Sequence, residues 1–416
     1  MQETYNIIKK DPQIWKFGFY GFFKNLKFFE PFLIIFLMQS GLNLFQIGLL
    51  YSVRETMSFI FEIPSGILAD NYGKKKELLL CFTFYIISFI IFFLSTEFWQ
   101  FSIAMISFGL GEAFRSGTHK AMIMTYLEQK GWFEHKTFVY GRTRSFSMIG
   151  SALSSILSIV FLFQFEQLRF LFIICVIPYI ADMILIASYP DSLDVKVRHS
   201  FSFKEFFTDS ITHFKRVMKS SEILKTITSS SFFDATFSSI KDYIQPILAA
   251  LITSSTLCVY FDLDEKQTLK ISLALIYMFI YLFSAYASKN VYKLNKKRSS
   301  AKLMSITMNI LGLTAVFIAL SVNFNLLPLI ALSFFFLYIL KNVRRPMFVD
   351  VIGDMMEKDQ RATVLSVENQ LTAIFTIVFA PIFGFIADNY SFTALFIIIA
   401  VMAFAMNFIA RVPEKK

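Results

Sequence analysis

A few charged side chains interrupt the long apolar stretches of this sequence, and these residues are the best suited to do chemistry. A charged side chain at the centre of a bilayer costs about 2.5–3.5 kcal/mol on insertion scales, so each one must face a cavity, a partner or a headgroup. A carboxyl group in such a place can bind a proton or a cationic group of a ligand. The candidates for proton coupling or substrate binding are Glu30, Glu112, Asp234, Lys241, Asp242 and Glu368.

The same spacing also permits a purely structural interpretation. Lys24, Lys27 and Glu30 follow one another at three-residue intervals and would be neighbours on one helix face, while Glu112 and Arg115 would be able to pair with each other. The sequence leaves two interpretations open: at least two of the carboxylates bind a proton or a ligand directly, or most of them form structural and gating ion pairs. Further ionisable residues within apolar stretches are Arg54, Glu55, Glu62 and Asp182.

The elements that position these residues are predicted by the composition. The chain has 416 residues, of which 56% are hydrophobic and 17% charged, against roughly 45–50% and about 25% in an ordinary soluble domain. Phe occurs 53 times, and the mean hydropathy is +0.58. This balance excludes a disordered chain and a soluble enzyme, and it predicts a protein surrounded by lipid.

Metal, redox and cofactor chemistry are not indicated. Cys81, Cys175 and Cys258 are far apart and form no CxxC pair. The four histidines lie in connecting stretches without metal-ligand spacing, and no GxxxxGK[ST] run is present for a nucleotide. No nucleophile, base and orienting residue can be assembled from these positions, so we expect neither an enzyme nor a bound cofactor.

The apolar stretches are long and numerous enough for twelve membrane-spanning helices, since one span needs about 20 mostly apolar residues. The predicted spans are 17–40, 45–69, 77–96, 99–118, 142–164, 168–189, 226–252, 269–289, 303–322, 326–345, 363–387 and 391–411.

The basic residues predict the orientation of these spans. Of the 40 Lys and Arg residues, 32 fall at the termini and in alternate connections, around 70–76, 118–144, 191–225, 289–302 and 341–361. Positively charged connections stay in the cytoplasm, so both termini are expected there. The net charge of +10 is therefore interpreted as a topology signal and an attraction to anionic lipid headgroups, and nucleic acid is not expected as a partner.

The connection at 191–225 divides the chain into two sets of six spans. We expect an N-terminal bundle at 1–190, a cytoplasmic linker at 191–225 and a C-terminal bundle at 226–416. Within the linker, apolar residues from Phe203 to Met218 recur at helical spacing. They predict an amphipathic helix that lies either on the inner membrane surface or against the protein.

Short internal repeats relate the two halves. Residues 30–33 (EPFL) of the first span align with 245–248 (QPIL) of the seventh, and GILADNY at 66–72 is similar to GFIADNY at 384–390. The first match falls at equivalent places in the two halves, whereas the second joins the ends of spans two and eleven, which run in opposite directions. An inverted triplet within a parallel six-span repeat would fit both, an organisation found in transporters with a central site.

The segment after the second span carries the most specific motif, with Gly66, Asp70, Gly73, Lys74, Lys75 and Lys76 in the run GILADNYGKKK. Gly66 would allow a close helix neighbour, Asp70 would hold an ionic latch, and Gly73 would permit a tight turn. The motif resembles the signature of the major facilitator superfamily between spans two and three. Segments 112–117 and 361–366 resemble that family too, so the likeness covers nearly the whole chain.

This resemblance implies an all-α membrane fold of two six-helix bundles and secondary active transport by alternating access. In resembling family members a residue at the position of Arg115 pairs with the motif aspartate, which makes Arg115 a gating candidate with Asp70. The favoured activity is proton-coupled export of a small amphipathic or hydrophobic compound, although the Gly-Pro pair of many proton-driven exporters is absent at Gly150–Ser151.

Two alternatives stay open beside export. One is a proton-coupled uptake symporter for a sugar, peptide or organic anion, and the other is a non-transporting sensor or scaffold with the same fold. In each case we expect a monomer in a plasma membrane, with a small molecule and protons as its partners. Because the loops are short, a prokaryotic inner membrane is expected.

Overall fold

The computed structural model describes residues 2–165, 167–194, 220–252, 264–290, 299–355 and 361–413. These ranges contain sixteen α-helices, three short 3-10 helices and no strand, so the described part of the chain is all-α as expected. The α-helices are α1 Gln2–Lys10, α2 Pro12–Lys24, α3 Leu33–Gln39, α4 Leu44–Tyr72, α5 Lys74–Leu94, α6 Phe98–Arg115, α7 Thr118–Gln129, α8 Lys136–Gln164, α9 Phe170–Ala187, α10 Ser221–Ile240, α11 Ile244–Ile252, α12 Glu265–Asn290, α13 Ser300–Asn323, α14 Leu327–Met355, α15 Arg361–Asn389 and α16 Phe392–Ile409. The 3-10 helices are Glu30–Phe32, Phe133–His135 and Asp191–Leu193.

Side-chain caps fix where several helices begin. Asp11 accepts hydrogen bonds from the backbone N–H groups of Gln13 and Ile14 at the start of α2. Ser299 and Ser391 cap α13 and α16 in the same way. Such caps satisfy N–H groups that have no partner within the helix, which matters most where water is scarce.

Eight helices in the described part of the chain are long and apolar enough to cross a membrane. They are Lys74–Leu94, Phe133–Gln164, Phe170–Ala187, Glu265–Ser284, Ser300–Asn323, Leu327–Gly353, Val364–Asn389 and Phe392–Ile409. The other four predicted spans correspond to α2 with α3, to α4, to α6, and to α10 with α11. The count of twelve and the orientation of the termini stay predictions.

The first and seventh predicted spans are each interrupted. The first consists of α2, a non-helical stretch at residues 25–29, the 3-10 helix Glu30–Phe32, and α3. The seventh consists of α10, turn residues 241–243, and α11. Both breaks lie within a few residues of the prolines that the two repeats share, Pro31 and Pro246.

The chain groups into two compact units. Unit 1 comprises Met1–Phe36, Thr56–Ser200 and Lys270–Leu282, and unit 2 comprises Leu37–Glu55, Phe201–Leu269 and Phe283–Lys416. The expected bundle boundaries at 190 and 226 stay a prediction. Residues 203–218 of the expected linker helix lie outside the described residues.

Unit 1 has an aromatic core joined by small polar side chains. The rings of Phe29 and Phe172 stack with centroids 4.6 Å apart, and both residues are buried. Between α5 and α6, the Ser88 hydroxyl donates to the Ala104 carbonyl at 2.8 Å. Hydrogen bonds of this kind connect membrane helices that hydrophobicity alone would not hold together. Phe28 and Phe29 are therefore core residues.

In unit 2, the beginning of α4 packs directly on the end of α15. A Cβ atom built on Gly48 would overlap the Ala380 backbone, and one built on Gly384 would overlap the Leu44 backbone. The Asp388 carboxylate accepts from the backbone N–H of Leu44 at 3.1 Å and of Phe45 at 2.7 Å. The second GxxADNY segment, which contains Gly384 and Asp388, thus caps the N-terminus of a neighbouring helix.

Helix α14 is longer than the sequence predicts. It continues to Met355, whereas the tenth span was expected to end at 345 and to be followed by a cytoplasmic connection. Lys341, Arg344 and Arg345, which were counted among the basic connection residues, lie within this helix. The helix is therefore longer than the predicted span, while the place where the span ends stays a prediction.

Candidate functional site

The break in the first span is stabilised by side chains from α9. The Lys24 carbonyl at the end of α2 accepts a hydrogen bond from the Tyr179 hydroxyl at 2.9 Å, and the Phe28 N–H contacts the Cys175 Sγ at 3.3 Å. Irregular backbone at membrane depth is tolerated only when such groups are satisfied by the protein or by water in a cavity.

The charged residues of this break are half-buried. Lys24, Lys27 and Glu30 all belong to the intermediate class of exposure. The Lys27 ammonium lies 5.0 Å from the centroid of the Phe108 ring on α6, a cation–π distance. The backbone break beside Glu30 therefore carries two basic residues and one carboxylate.

Arg115, at the end of α6, is directed to an aromatic partner. Its Nε donates to the Tyr85 hydroxyl at 3.3 Å. The side chain of Asp70 lies outside the described residues, so its proposed pairing with Arg115 stays a prediction. Glu112 lies one turn before Arg115 on the same helix.

The motif turn after α4 is bound to the end of the sixth span. Gly73 has a φ of +106°, which favours glycine, and a Cβ there would overlap the Asp194 carboxylate. That carboxylate accepts from the Lys75 N–H at 2.9 Å, and the Lys75 ammonium contacts Asp191 at 3.1 Å. The expected role of Gly73 as a turn residue agrees with this geometry.

Gly66 behaves differently from the expectation. A Cβ built at Gly66 meets no atom within 4 Å. The close helix neighbour that was expected at this position is therefore not found among the described residues. The role of Gly66 in gating, like that of Lys74 and Lys76, stays a prediction.

Unit 2 contains two ion pairs between α14 and its neighbours. The Lys341 ammonium pairs with the Asp234 carboxylate of α10. The Arg345 guanidinium pairs with the Glu368 carboxylate of α15 at 2.5 Å, and the Ser230 hydroxyl donates to the same carboxylate at 3.0 Å. Two of the carboxylates predicted from the sequence are thus brought together with cations that were not predicted as site residues.

Arg344 lies between these two pairs in sequence and is 1% exposed. Its guanidinium donates to the Met304 carbonyl, to the Thr307 hydroxyl at 2.7 Å and to the Ser229 hydroxyl at 2.8 Å. It also lies 4.7 Å from the centroid of the Phe233 ring. Neutral acceptors on α10 and α13 therefore hold a buried cation in place.

The break in the seventh span has its own pair. The Lys241 ammonium contacts the Asp242 carboxylate of the next residue at 2.7 Å. The Tyr338 hydroxyl of α14 lies 3.5 Å from the same carboxylate. Lys241 and Asp242, which the sequence singled out, thus mark the end of α10.

Three cations of this site were not predicted as site residues: Lys341, Arg344 and Arg345. They follow a pure apolar run and precede Pro346, a pattern that resembles the end of a span. The signal that would have found them is their spacing, since three cations at 341, 344 and 345 face one side of a continuing helix. No group of three His, Cys, Asp or Glu side chains suited to a metal ion occurs in the described part of the chain.

A family model and two relatives from bacteria match this sequence. The model of the Major Facilitator Superfamily matches residues 17–343. An uncharacterized MFS-type transporter, YxaM from Bacillus subtilis (strain 168), is 24% identical over 374 residues, which are 90% of this chain and 88% of that protein. Melibiose permease from Enterobacter cloacae subsp. cloacae is 29% identical over 152 residues, 34% of this chain and 35% of the permease.

Solved structures share the fold at low sequence identity. The nucleoside transporter NupG aligns with a TM-score of 0.76 at 12% identity. The alignment covers 96% of this chain and 98% of the NupG chain. A D-xylose–proton symporter aligns with a TM-score of 0.72 at 13% identity over 97% of both chains. The match of the family model over most of the sequence places this chain in the major facilitator superfamily, as a membrane transporter and not an enzyme.

Proposed function

We propose that this protein is a proton-coupled transporter of a small polar solute that carries a negative charge. The observation that carries the proposal is the cluster of Lys341, Arg344, Arg345, Asp234 and Glu368 in unit 2, which we call the α14 charge cluster. Two of its cations, Lys341 and Arg345, are the proposed solute contacts, and the carboxylates of Asp234 and Glu368 pair with them.

The exposed fractions of the side chains show which residues of the α14 charge cluster are accessible. The Arg345 side chain is 38% exposed while its partner Glu368 is 1% exposed. The Lys341 side chain is 28% exposed against 10% for Asp234. A cation on a membrane-spanning helix that keeps accessible surface is expected to face a water-filled cavity or polar groups. The accessible side of each pair is therefore its cationic side.

The sign of the charge favours an anionic solute. Among the described residues the α14 charge cluster contains three cations and two carboxylates, and its net positive charge favours an anion at the two accessible cations, Lys341 and Arg345. A guanidinium binds a carboxylate or phosphate through two parallel hydrogen bonds, which favours Arg345 as the main contact.

Proton coupling is supported by the buried carboxylates and by the D-xylose–proton symporter that shares the fold. Asp234 and Glu368, together with Glu30 and Glu112 of unit 1, are the proposed proton- or solute-binding groups. Asp70 and Arg115 are proposed as gating residues.

Proton-coupled export of an amphipathic compound is the second candidate function. Three aromatic rings pack together on α10 and α15. Phe375 and Phe379 stack with centroids 5.5 Å apart, and Phe232 lies 5.5 Å from Phe379. An apolar group of such a compound would pack on these rings. The bacterial relatives support a prokaryotic inner membrane as the location.

Ligand binding to the purified protein tests the solute class. We would measure the thermal unfolding midpoint in detergent against organic acids, phosphorylated compounds, nucleosides, sugars, peptides and lipophilic cations at two pH values. A ligand that binds the folded state raises this midpoint. We expect anions to raise the midpoint. We expect Arg345→Gln and Lys341→Gln each to lower the apparent affinity for the anion at least tenfold.

Two exposed residues give matched controls for these variants. Arg411→Gln and Lys302→Gln make the same substitutions at exposed positions and should bind as the wild type does. A rise with lipophilic cations alone would favour the export candidate. A rise with uncharged sugars or nucleosides that is unchanged in both cluster variants would contradict the proposed site.

A further inference from the structure

Asp182, on α9 in unit 1, is a buried carboxylate without a hydrogen-bonding partner among the described residues. It is 0% exposed, and neither carboxylate oxygen has a donor within hydrogen-bond distance. It differs in this from Asp234 and Glu368, each of which has a basic partner. A buried ionised carboxylate without compensation is strongly unfavourable, whereas a neutral carboxyl group costs far less.

The groups around Asp182 are mostly neutral. Tyr20 and Lys24 of α2, Cys81 of α5, and Tyr179 and Tyr189 of its own segment are the titratable groups that interact with it electrostatically. The neighbouring stretch of α8, residues 145–164, contains no ionisable residue. Lys24 is the one basic residue among these groups.

Lys24 also connects Asp182 to the broken first span. It is the last residue of α2, and its carbonyl accepts from Tyr179, which is three residues before Asp182 on α9. Movement at the break would therefore change the distance between the ammonium and the carboxylate. An approach of Lys24 favours release of a proton from Asp182, and its withdrawal favours uptake of a proton.

We propose that Asp182 is the residue that carries the coupled proton, with Lys24 as its charge partner. The carboxylate takes one proton from water on one side of the membrane and releases it to water on the other side. This inference rests on the proposed function, because it assigns the proton to unit 1 while the solute binds to the α14 charge cluster of unit 2.

The test separates exchange from net transport in proteoliposomes. Exchange of labelled for unlabelled solute needs no net movement of protons, whereas accumulation driven by a pH gradient does. We expect Asp182→Asn, which has nearly the same shape as the protonated acid, to keep exchange within about threefold of the wild type. Accumulation and solute-driven proton movement should fall to the background of empty vesicles.

A second variant keeps the inference falsifiable if Asp182→Asn does not fold. Lys24→Gln removes the charge partner, so Asp182 should keep its proton to a higher pH. The pH dependence of accumulation should therefore move in the alkaline direction. Glu128→Gln, at an exposed glutamate of α7, is the matched control and should leave both assays unchanged.

The outcomes distinguish the two proposals. No solute-driven proton movement in the wild type would contradict the proposed function itself. A coupled wild type together with an Asp182→Asn variant that still accumulates solute would contradict the role of Asp182 alone. Loss of exchange together with accumulation in a folded Asp182→Asn variant would overturn it too, because it would show a role in the transport cycle that is independent of the proton.

Discussion

Arg344 shows how the residues of this protein depend on compensation of their charge. Its guanidinium is as buried as any apolar core residue, yet it is held by acceptors from three residues on two other helices. Breaking such an arrangement from one side leaves polar groups buried without partners, which costs more than the original bonds contributed. Arg344 is therefore expected to position α14 and not to bind solute itself.

Substitution of Arg344 tests this role. We expect Arg344→Gln to lower the free energy of unfolding by about 3 kcal/mol, since one amide cannot satisfy the Met304, Thr307 and Ser229 acceptors together. The midpoint of thermal unfolding in detergent measures the effect, with Arg411→Gln as the control. An unchanged midpoint would show that these acceptors find other donors.

His119 gives a prediction about pH. Burial lowers the pKa of this histidine well below its ordinary value, and the charges of Lys24 and Arg115 lower it further. Its ring stacks on Tyr20 with centroids 3.5 Å apart. A group with a lowered pKa of this kind is neutral in the folded state, so its contribution to stability is complete above pH of about 6.5 and is lost as the pH falls below that value.

The expected result is a fall in stability of at most about 1.4 kcal/mol per pH unit below pH 6, from this one group. Unfolding midpoints recorded between pH 5 and pH 8 measure it. His119→Phe keeps a ring against Tyr20 and should show a smaller acid dependence than the wild type. Equal slopes for the two proteins would contradict the assignment.

Some of these residues could be predicted from the sequence, and others could not. Glu30, Asp234 and Glu368 stood out because a carboxylate in an apolar stretch is costly and therefore conspicuous. Asp182 was visible for the same reason, but its lack of a partner is a property of the packing. Arg344 and Arg345 were hidden because a cation near Pro346 looks like the end of a span.

At the scale of elements, the two interrupted helices are the most informative feature. The repeat around Pro31 and Pro246 predicted equivalent places in the two halves, and the breaks lie at both. The bonds that close the first break come from Tyr179 and Cys175, more than 140 residues away in sequence. The repeat marked the equivalent places in the two halves, but it could not identify those partners.

Tyr179 tests whether the break has to be held in place. Tyr179→Phe removes the donor to the Lys24 carbonyl and leaves the ring packing intact. We expect a loss of about 1 kcal/mol in stability and a fall of a few-fold in transport rate, measured as solute uptake into proteoliposomes. Tyr390→Phe, at a tyrosine that is 73% exposed, is the control. Wild-type transport in Tyr179→Phe would show that the break needs no such bond.

The contact of α4 with α15 is the second test at this scale. Gly384→Ala introduces a Cβ into the Leu44 backbone, so the two helices must separate. We expect the thermal midpoint to fall by several degrees, since overpacking costs about 1–3 kcal/mol. Gly66→Ala adds the same atom where nothing lies within 4 Å and should be neutral or slightly stabilising. Equal effects of the two variants would contradict the close packing.

For the whole molecule, the family and the all-α fold followed from the hydropathy, the basic connections and the GILADNYGKKK motif, and the family match supports them. The direction of transport and the solute did not follow, because they depend on which charges are accessible. The favoured expectation of a hydrophobic compound came from the family resemblance and from the 53 phenylalanines. Several of these, such as Phe29 and Phe172, pack in the core, and the accessible charges favour an anion.

Coupling is a property of the whole protein, and one measurement tests it most directly. The purified protein would be reconstituted into vesicles that contain a pH-sensitive dye, with the membrane potential clamped, and the anion that gives the largest thermal shift would be added outside. We expect the internal pH to change only when solute is present, and we expect Arg345→Gln to abolish this change while Arg411→Gln does not. Solute uptake at the wild-type rate without any change of internal pH would contradict it.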